Sequence, residues 1–318
     1  MSAIEVTTGK KLFFIAPSTR LKESDRPRLE NAVSILSRAL QAGSTSLSPQ
    51  IFSSDENIQH VTAPVEERSK EFEKVVREQD IIVSVAGGTG AEDLVLTLDR
   101  ADFRMIRKRK PLLIGFSDFT FLLNEVYSRS RVPGILYPSL RLNGDNVQKL
   151  VSLINGETVY YRGSLWLSDP PAETVAGVAL GGNLTTFVNF LNREKPPRLR
   201  WRDHILFIED IQVDLEDLHR LLGALRRHRV FRNIKGLVIG SLVEDLSTTQ
   251  GREFQDEAQS FILAYLAGVL KKRRERQAAL PIMVLRSFGH NITEGLPAVP
   301  IGGLASLSAS LELSVRLR

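Results

Sequence analysis

The first 137 residues alternate short apolar runs with longer amphipathic segments, and this alternation constrains the fold more than any other feature. The apolar runs have the length of strands. One of them, Ile81–Val85, is rich in β-branched residues, as are strands buried in parallel sheets. The amphipathic segments carry apolar residues three and four positions apart, which predicts helices. The pattern βαβαβαβ therefore predicts an α/β domain with a parallel sheet and helices on both faces.

The sequence pattern changes in the second half of the chain. We therefore place a domain boundary near Arg162, between residues 1–162 and 163–318. The segment from Ser139 to Gly163 is predicted to be a connection with one helix around Val147–Ile154. The tail alternates apolar and polar residues like half-buried strands. Predicted strands are Lys11–Ala16, Leu47–Phe52 (interrupted by Pro49), Ile81–Val85, Pro111–Ile114, Gly134–Tyr137, Val175–Leu180, His204–Ile208, Gly236–Ile239 and Pro281–Leu285. Predicted helices include Glu66–Gln79, Ala91–Leu98, Leu184–Leu191, Leu215–Arg227 and Phe254–Lys272.

A serine lies in a sharp turn between the predicted strand Pro111–Ile114 and the helix that follows it. This turn would expose the hydroxyl of Ser117 at the end of the sheet, next to free N–H groups at the helix start. Asp118 falls in the first helical turn, where the helix dipole favours an acid. A serine before a helix is usually only an N-cap. Phe119 also replaces the second glycine of G-x-S-x-G, so the motif alone does not decide between cap and nucleophile.

Residues 86–90 (AGGTG) form a glycine-rich loop between a predicted strand and a helix. Such loops often bind phosphate, but this one lacks both G-x-G-x-x-G and the Lys-Ser/Thr of a P-loop. Glu92 and Asp93 at the helix start would also repel a phosphate. A nucleotide site is therefore not expected here. The loop is instead suited to direct its backbone N–H groups at a transient oxyanion.

Composition excludes several function classes. The chain has no cysteine, which rules out disulfides, thiol catalysis and zinc–thiolate sites. No segment resembles a signal peptide or approaches the length of a membrane span, so we expect a cytoplasmic protein without a membrane partner. The net charge is +5, and many of the positively charged residues lie in short basic runs. No aromatic residues alternate with the basic residues of these runs, which favours a solvated surface over nucleic-acid binding. The basic runs are Arg107–Lys110, Arg226–Arg232 and Lys271–Arg276.

One histidine lies where a catalytic base is expected. His290 follows an apolar strand and a glycine, while the other histidines are His60, His204, His219 and His228. Ser117 and Glu209 also follow apolar strands, and ligand sites in open α/β sheets gather at these carboxyl ends. A nucleophile, a base and a group that orients the base would account for all three residues. Asp210 is an alternative to Glu209, because both follow the same strand.

Eight short motifs, spread over nearly the whole chain, resemble those of one known family. They are IAPS (Ile15–Ser18), GGTG (Gly87–Gly90), LTLD (Leu96–Asp99), IGFSDFTFLL (Ile114–Leu123), GGNL (Gly181–Leu184), LFIED (Leu206–Asp210), KGLVIG (Lys235–Gly240) and FGH (Phe288–His290). In this order they resemble the LD-carboxypeptidase family of serine peptidases, which includes muropeptide LD-carboxypeptidases and microcin-immunity amidases.

The resemblance implies a role for each candidate residue. Ser117 would be the nucleophile, His290 the general base and Glu209 the carboxylate that orients it. The oxyanion hole would use the backbone N–H groups of Gly88 and Asp118. The implied fold is a Rossmann-like N-terminal domain with a parallel sheet, joined to a C-terminal domain of mixed β/α swivelling type. The family also implies a homodimer that needs neither cofactor nor metal.

Two segments depart from the pattern usual in muropeptide enzymes. Residues 86–90 read AGGTG where those enzymes have RGGYG, and residues 136–138 read LYP where they have an HGP-like turn. The leading hypothesis is a serine carboxypeptidase that cleaves an LD bond and releases C-terminal D-alanine from a murein tetrapeptide during peptidoglycan recycling. The alternative is a microcin-immunity-like amidase that cleaves a peptidyl or aminoacyl adenylate toxin. A binding protein without turnover is a third possibility, against which the three polar residues argue.

Overall fold

The structure is a computed structural model that describes residues 9–53, 61–197, 199–274, 279–290, 292 and 295–317. The first eleven elements in chain order are β1 (Lys11–Ile15), α1 (Arg26–Ala39), β2 (Ser44–Leu47), α2 (Val65–Glu78), β3 (Ile81–Ser84), α3 (Ala91–Thr97), α4 (Arg100–Arg109), β4 (Leu112–Gly115), α5 (Phe119–Ser130), β5 (Gly134–Leu136) and α6 (Gly144–Ile154). Those that follow are β6 (Val159–Arg162), β7 (Leu165–Trp166), β8 (Val175–Asn183), α7 (Leu184–Asn192), β9 (His204–Glu209), α8 (Leu215–Arg227), α9 (Val230–Asn233), β10 (Gly236–Ile239), α10 (Thr249–Arg274), β11 (Ile282–Val284), β12 (Val299–Ile301), β13 (Leu304–Ser308) and β14 (Glu312–Arg316).

These elements form two compact units. The first unit takes the described residues up to Thr158 together with Ala298–Gly303 and residues 316–317. The second takes those from Val159 to Pro297 together with Leu304–Val315. Each unit contains one sheet. The domain boundary near Arg162 stays a prediction.

The sheet of the first unit has the strand order β12-β5-β4-β3-β1-β2. Strands β1 to β5 are parallel, and β12 pairs with β5 in the antiparallel direction. In register, Ile82 of β3 lies opposite Phe13 of β1 on one side and Leu113 of β4 on the other. Both β3 and β4 are buried along their whole length, as expected when helices cover both faces of a parallel sheet. The predicted α/β fold is confirmed.

In the first unit, one predicted strand was wrong and one helix was not predicted. The strand expected at Leu47–Phe52 ends at Leu47, and the chain then turns. Pro49 has no N–H to donate to a ladder, and the hydroxyl of Ser48 accepts the N–H of Gln50 within the turn. Helix α4 was not expected. Its N-cap is Asp99, whose carboxylate accepts two N–H groups of the first turn in a capping box.

The second unit has a mixed sheet with the order β6-β14-β13-β8-β9-β10-β11-β7. Strands β8 to β11 are parallel and central, while the outer pairs are antiparallel. This agrees with the mixed β/α domain that was expected. Strand β6 was expected to be part of a connection, but Val159 and Tyr161 are buried while Tyr160 and Arg162 face solvent. That alternation and its pairing with β14 make it an edge strand.

Candidate active site

Ser117 lies in the turn between the buried strand β4 and helix α5. Its φ angle is +58°, in the left-handed region that residues with a Cβ rarely occupy. Such a conformation persists only where the surrounding structure enforces it, and it often accompanies function. The N-cap of α5 is Asp118, not Ser117. The capping alternative for Ser117 is therefore not realised, and the serine occupies a strained strand-to-helix turn.

The glycine loop, residues 86–90, passes close to Ser117. A Cβ on Gly87 would lie 2.6 Å from the Cβ and 3.1 Å from the Oγ of Ser117, so only glycine permits this approach. Gly88 has a φ angle of +102°, which also favours glycine. Within the described ranges, the backbone N–H groups of Gly88 and Asp118 donate no hydrogen bond. Both are therefore available to an oxygen that carries developing negative charge.

The buried side chain of Arg68, on α2, holds the end of the glycine loop. Its Nη1 donates to the carbonyls of Pro17 and Gly90, each at 2.7 Å, and its Nε donates to that of Ala63 at 2.8 Å. Its Nη2 lies 3.3 Å from the carboxylate of Asp93. The Arg68 side chain is only 4% exposed, so its charge depends on these partners in place of water.

The carboxylate of Asp118 makes a second connection between the turn and the loop. It accepts the N–H of Ala91, the first residue of α3, at 2.7 Å. A carboxylate is favourable at this position because it satisfies an N–H at a helix N-terminus. Burial raises the pKa of Asp118, and the hydrogen bond from Ala91 opposes the rise.

In the second unit, the Nδ1 atom of His290 lies 2.7 Å from the Oε2 atom of Glu209. Glu209 ends β9 and is fully buried, and the His290 side chain is 11% exposed. The contact assigns the ring proton of the neutral imidazole to Nδ1 and leaves Nε2 as the basic nitrogen. Burial raises the pKa of Glu209, and the contact with His290 opposes that rise. An imidazole oriented by a buried carboxylate is suited to act as a general base.

Asp210, the alternative to Glu209, has a different set of partners. Its carboxylate accepts the side-chain amide of Asn183 at 2.9 Å and the N–H of Ile211 at 2.8 Å. It also accepts the N–H and the hydroxyl of Thr185, at 2.8 and 2.7 Å. These bonds fix the start of α7 against the end of β9. Glu209 is thus the carboxylate that contacts His290, whereas Asp210 has a structural role.

The loop that carries His290 is held by backbone and ring contacts. The N–H of Ser241 donates to the carbonyl of Phe288 at 2.7 Å. The ring of Phe288 packs edge-on against Phe207 of β9, with the centroids 6.0 Å apart. Gly289 has a φ angle of +146°, and a Cβ there would lie 2.8 Å from that of Ser241. These contacts fix the backbone of the loop and thereby hold His290 next to Glu209.

The other described histidines have structural contacts, and His60 lies outside the described residues. His204 contacts the Arg200 carbonyl, His228 the Asn192 side chain, and His219 the edge of Tyr265. In the described chain, no group of three or more His, Cys, Asp and Glu side chains could hold a metal ion. None of the helices that the structure describes combines the length and apolar character needed to cross a bilayer.

Two contributions to the site were missed from the sequence. In the sequence Arg68 is one of many charged residues of a predicted helix, and no local pattern distinguishes it, since its partners lie up to 51 residues away. Asp118 was chosen for its backbone N–H, whereas its carboxylate also contacts Ala91. An acid directly after a candidate nucleophile was the only available signal.

Two family models match the chain. The model of the LD-carboxypeptidase N-terminal domain matches residues 13–137, and that of the LD-carboxypeptidase C-terminal domain matches residues 176–307. The matched residues make up more than half of the chain.

Individual proteins agree with these matches. A protein of Treponema pallidum (strain Nichols) that bears the name of a carboxypeptidase is 25% identical over 70% of this chain and 68% of its own length. The microcin C7 self-immunity protein MccF of Escherichia coli is 25% identical over 55% of this chain and 60% of its own length. Two solved structures, each 21% identical, share the fold. An MccF-like protein from Bacillus anthracis str. Ames has a TM-score of 0.77 and covers 98% of both chains. Muramoyltetrapeptide carboxypeptidase from Oxalobacter formigenes has a TM-score of 0.72 over 96% of this chain and 97% of its own.

Proposed function

The chain belongs to the LD-carboxypeptidase family of serine-type peptidases, and from this premise we propose that it hydrolyses an LD peptide bond in a muropeptide. The substrate that fits best is a murein tetrapeptide, from which C-terminal D-alanine is released during peptidoglycan recycling. The observation that carries the proposal is the 2.7 Å contact between His290 and the buried carboxylate of Glu209. A histidine oriented by a buried carboxylate is the arrangement that enzymes use to take a proton from a nucleophile.

In the proposed reaction, the hydroxyl of Ser117 attacks the carbonyl carbon of the scissile bond. His290 takes the hydroxyl proton on Nε2 and then gives it to the leaving amine of D-alanine. Glu209 keeps the ring in the correct tautomer and stabilises the imidazolium. The acyl-enzyme is then hydrolysed by water, which His290 deprotonates in turn.

The negative charge that develops on the carbonyl oxygen is stabilised by the N–H groups of Gly88 and Asp118. One such donor typically lowers the barrier by about 2.7–4 kcal/mol, because it is oriented before the reaction begins. The contacts of Arg68 with Gly90 and of Asp118 with Ala91 support this role, since they limit the movement of the loop. The glycine at position 87 supports it as well, because it lets the loop approach Ser117.

The alternative substrate is a peptidyl or aminoacyl adenylate toxin. The similarity to the E. coli self-immunity protein supports it, as does the loop sequence AGGTG at residues 86–90, which departs from the muropeptide enzymes. The same nucleophile, base and N–H donors would serve both reactions, since each transfers an acyl group to serine. The substrates differ in the group that leaves.

The family resemblance also supports a cytoplasmic homodimer without a cofactor. Light scattering coupled to gel filtration tests the assembly, and a mass twice that of the chain is expected. A mass equal to one chain across a range of concentrations contradicts the dimer.

A competition experiment separates the two substrates. Purified protein is incubated with murein tetrapeptide, its C-terminal amide and an aminoacyl sulfamoyl adenosine, and the products are followed by mass spectrometry. Release of D-alanine from the tetrapeptide is expected, with strong discrimination against the amide, because donors built for a carboxylate would be left unpaired. Ser117→Ala protein serves as the control. Turnover of the adenosine compound without turnover of the tetrapeptide replaces the first function by the second.

A further inference from the structure

The segment that follows β1, residues 16–19, meets the glycine loop within the first unit. Strands β1, β3 and β4 are neighbours in the parallel part of the sheet, so the segments that follow them emerge at one edge. The glycine loop follows β3, and the turn with Ser117 follows β4. The segment after β1 has no part in the proposed reaction, although it contains most of the motif IAPS (Ile15–Ser18). Its last residue, Thr19, contacts the loop on both sides of Gly88.

The backbone of Thr19 forms the first of these contacts. Its N–H donates to the carbonyl of Gly87 at 3.1 Å. That carbonyl and the N–H of Gly88 belong to one planar trans peptide group, so they point in opposite directions. The bond from Thr19 therefore fixes the direction of the N–H that is proposed to stabilise the oxyanion. A carbonyl that accepts a hydrogen bond also polarises its peptide group, which strengthens the N–H as a donor.

The side chain of Thr19 holds the next peptide group. Its Oγ1 accepts the N–H of Thr89 at 3.3 Å, and a Cβ on Gly88 would clash with the same oxygen. In the part of the chain that the structure describes, no other residue forms a hydrogen bond with the two peptide groups that flank Gly88. A glycine can adopt a wide range of φ and ψ angles, so its N–H keeps one direction only if neighbouring groups restrain it. Thr19 provides this restraint from both sides.

Thr19 is itself held by the segment that precedes α2. The N–H of Thr62 donates to the carbonyl of Ser18 at 3.3 Å, and its hydroxyl donates to that of Ala16 at 2.9 Å. Thr62 is fully buried. The guanidinium of Arg68 donates to the carbonyl between these two, that of residue 17, at 2.7 Å. The restraint on the glycine loop therefore starts from a buried part of the fold.

We propose that Thr19 is a positioning residue, whose N–H and hydroxyl orient the N–H of Gly88 for the oxyanion that forms when Ser117 attacks the substrate. The inference rests on the proposed function, because an oxyanion forms there only if Ser117 attacks an acyl group. The effect of Thr19 belongs to the transition state, since the N–H of Gly88 interacts most strongly with the charge that develops there. A threonine that only joined two segments would affect stability alone.

The variants Thr19→Ser and Thr19→Ala isolate the role of the hydroxyl, because both lack the methyl group and they differ only in the oxygen. Hydrolysis is measured well below the melting transition of each variant, with whichever of murein tetrapeptide and aminoacyl sulfamoyl adenosine the wild type cleaves. Thr19→Ala should lower kcat at least about tenfold and leave KM within about twofold of wild type, since a displaced donor weakens only the transition state. Thr19→Ser should keep kcat within about threefold of wild type, because its hydroxyl can still accept the N–H of Thr89.

Thr45→Ala is the matched control. Thr45 is a half-buried threonine of β2 in the same unit, like Thr19, and its hydroxyl lies 2.8 Å from that of Ser37. The variant loses one hydroxyl contact but leaves the glycine loop unchanged. Its kcat should therefore stay within about twofold of wild type, as expected for a distant site. A fall in kcat for Thr45→Ala as large as that for Thr19→Ala overturns the proposal.

Hydrogen exchange followed by mass spectrometry provides a readout that needs no substrate. The hydroxyl of Thr19 is the acceptor for the N–H of Thr89, so peptides that contain residues 86–90 should exchange at least about threefold faster in Thr19→Ala than in Thr19→Ser. Equal exchange in the two variants overturns the restraint on the loop. Faster exchange with unchanged kcat overturns its role in catalysis. If the wild type cleaves neither substrate, the proposed function fails and the catalytic role of Thr19 fails with it, whereas an active wild type with an equally active Thr19→Ala refutes the role of Thr19 alone.

Discussion

Replacing Arg68 with methionine tests whether the glycine loop must be held in place. The guanidinium donates to three carbonyls, those of Pro17, Ala63 and Gly90, and all three residues are buried. Methionine fills much of the aliphatic volume but donates nothing. The carbonyl of Gly90 therefore loses the bond that fixes the end of the loop next to Ser117.

The expected loss of stability follows from these contacts. A hydrogen bond to a charged group contributes about 1.5–3 kcal/mol to stability. The sum for the three bonds is an upper limit on the stability that the variant loses. The variant no longer buries a charge, which offsets part of the loss, and Asp93 is 53% exposed and regains water at little cost. Three buried carbonyls lose their donor, at a cost of about 1–3 kcal/mol each, and the offset brings our expectation for Arg68→Met to about 3–5 kcal/mol. In a domain of this size that corresponds to a lower melting temperature by roughly 6–20 °C.

Activity and stability are measured together. If the loop supplies an oxyanion donor, kcat for D-alanine release should fall by about 10²–10³-fold below the melting transition. Arg77→Met is the control, because Arg77 lies on the same helix and pairs with Asp102 at 3.0 Å, but its side chain is 45% exposed. Its partner Asp102 is only 8% exposed, so this variant should also lose some stability, but kcat should not change, because Arg77 lies in the last turn of α2 and pairs with α4. A melting temperature and a kcat for Arg68→Met that both match those of Arg77→Met would refute the reasoning.

The remaining predictions concern the proposed catalytic residues. Ser117→Ala and His290→Ala should each lower kcat by roughly 10⁴–10⁶-fold in folded protein, and near-wild-type release of D-alanine would contradict the assignment. Burial raises the pKa of Glu209, so kcat/KM should fall on the acid side as this carboxylate is protonated. In Glu209→Gln kcat should be lower at every pH, because the amide no longer stabilises the imidazolium, and wild-type kcat would contradict the assignment. Because folded Glu209 binds its proton more tightly than the unfolded chain does, its contribution to stability is present below the ordinary pKa of 4.5. That contribution is lost as the pH rises through the raised value, and denaturation curves of Glu209→Gln should lack this dependence. Gly88→Ala places a Cβ against the hydroxyl of Thr19 and should lower kcat by at least about 10²-fold, whereas wild-type kinetics would place the oxyanion donor elsewhere.

The alternation of strands and helices was predictable because each element carries its own periodicity. The strand expected at Leu47–Phe52 was one exception in the first unit, and helix α4 was the other. Its capping box, Asp99 and Asp102, is visible in the sequence, but only Phe103 and Ile106 are buried apolar residues among many cations. The apolar stripe is too narrow to identify a helix from the sequence. Most of the stability of such a helix comes from its packing against the rest of the protein.

The candidate site was predictable where a residue follows a strand, and less so where its role depends on distant contacts. Ser117, His290 and the adjacent acids Glu209 and Asp210 could be chosen from local patterns, because parallel strands present their carboxyl ends at one edge. The choice between Glu209 and Asp210 could not be made, since adjacent residues of a strand point to opposite faces and the sequence does not reveal which face is which. The role of Arg68 could not be predicted either. Its carbonyl partners come from three separate loops, and the sequence does not show that these loops meet at one side chain.

The antiparallel pairing of β12 with β5 affects how the protein is synthesised. Strand β5 ends at Leu136, whereas its edge partner begins at Val299, after nearly the whole second unit. At about 5–20 residues per second, a ribosome needs roughly 8–33 seconds to make the intervening segment. During that time the edge of β5 has no native partner, and an open strand edge is a template for pairing with other chains. The nascent chain therefore depends on rapid elongation, or on a chaperone, until β12 (Val299–Ile301) has emerged.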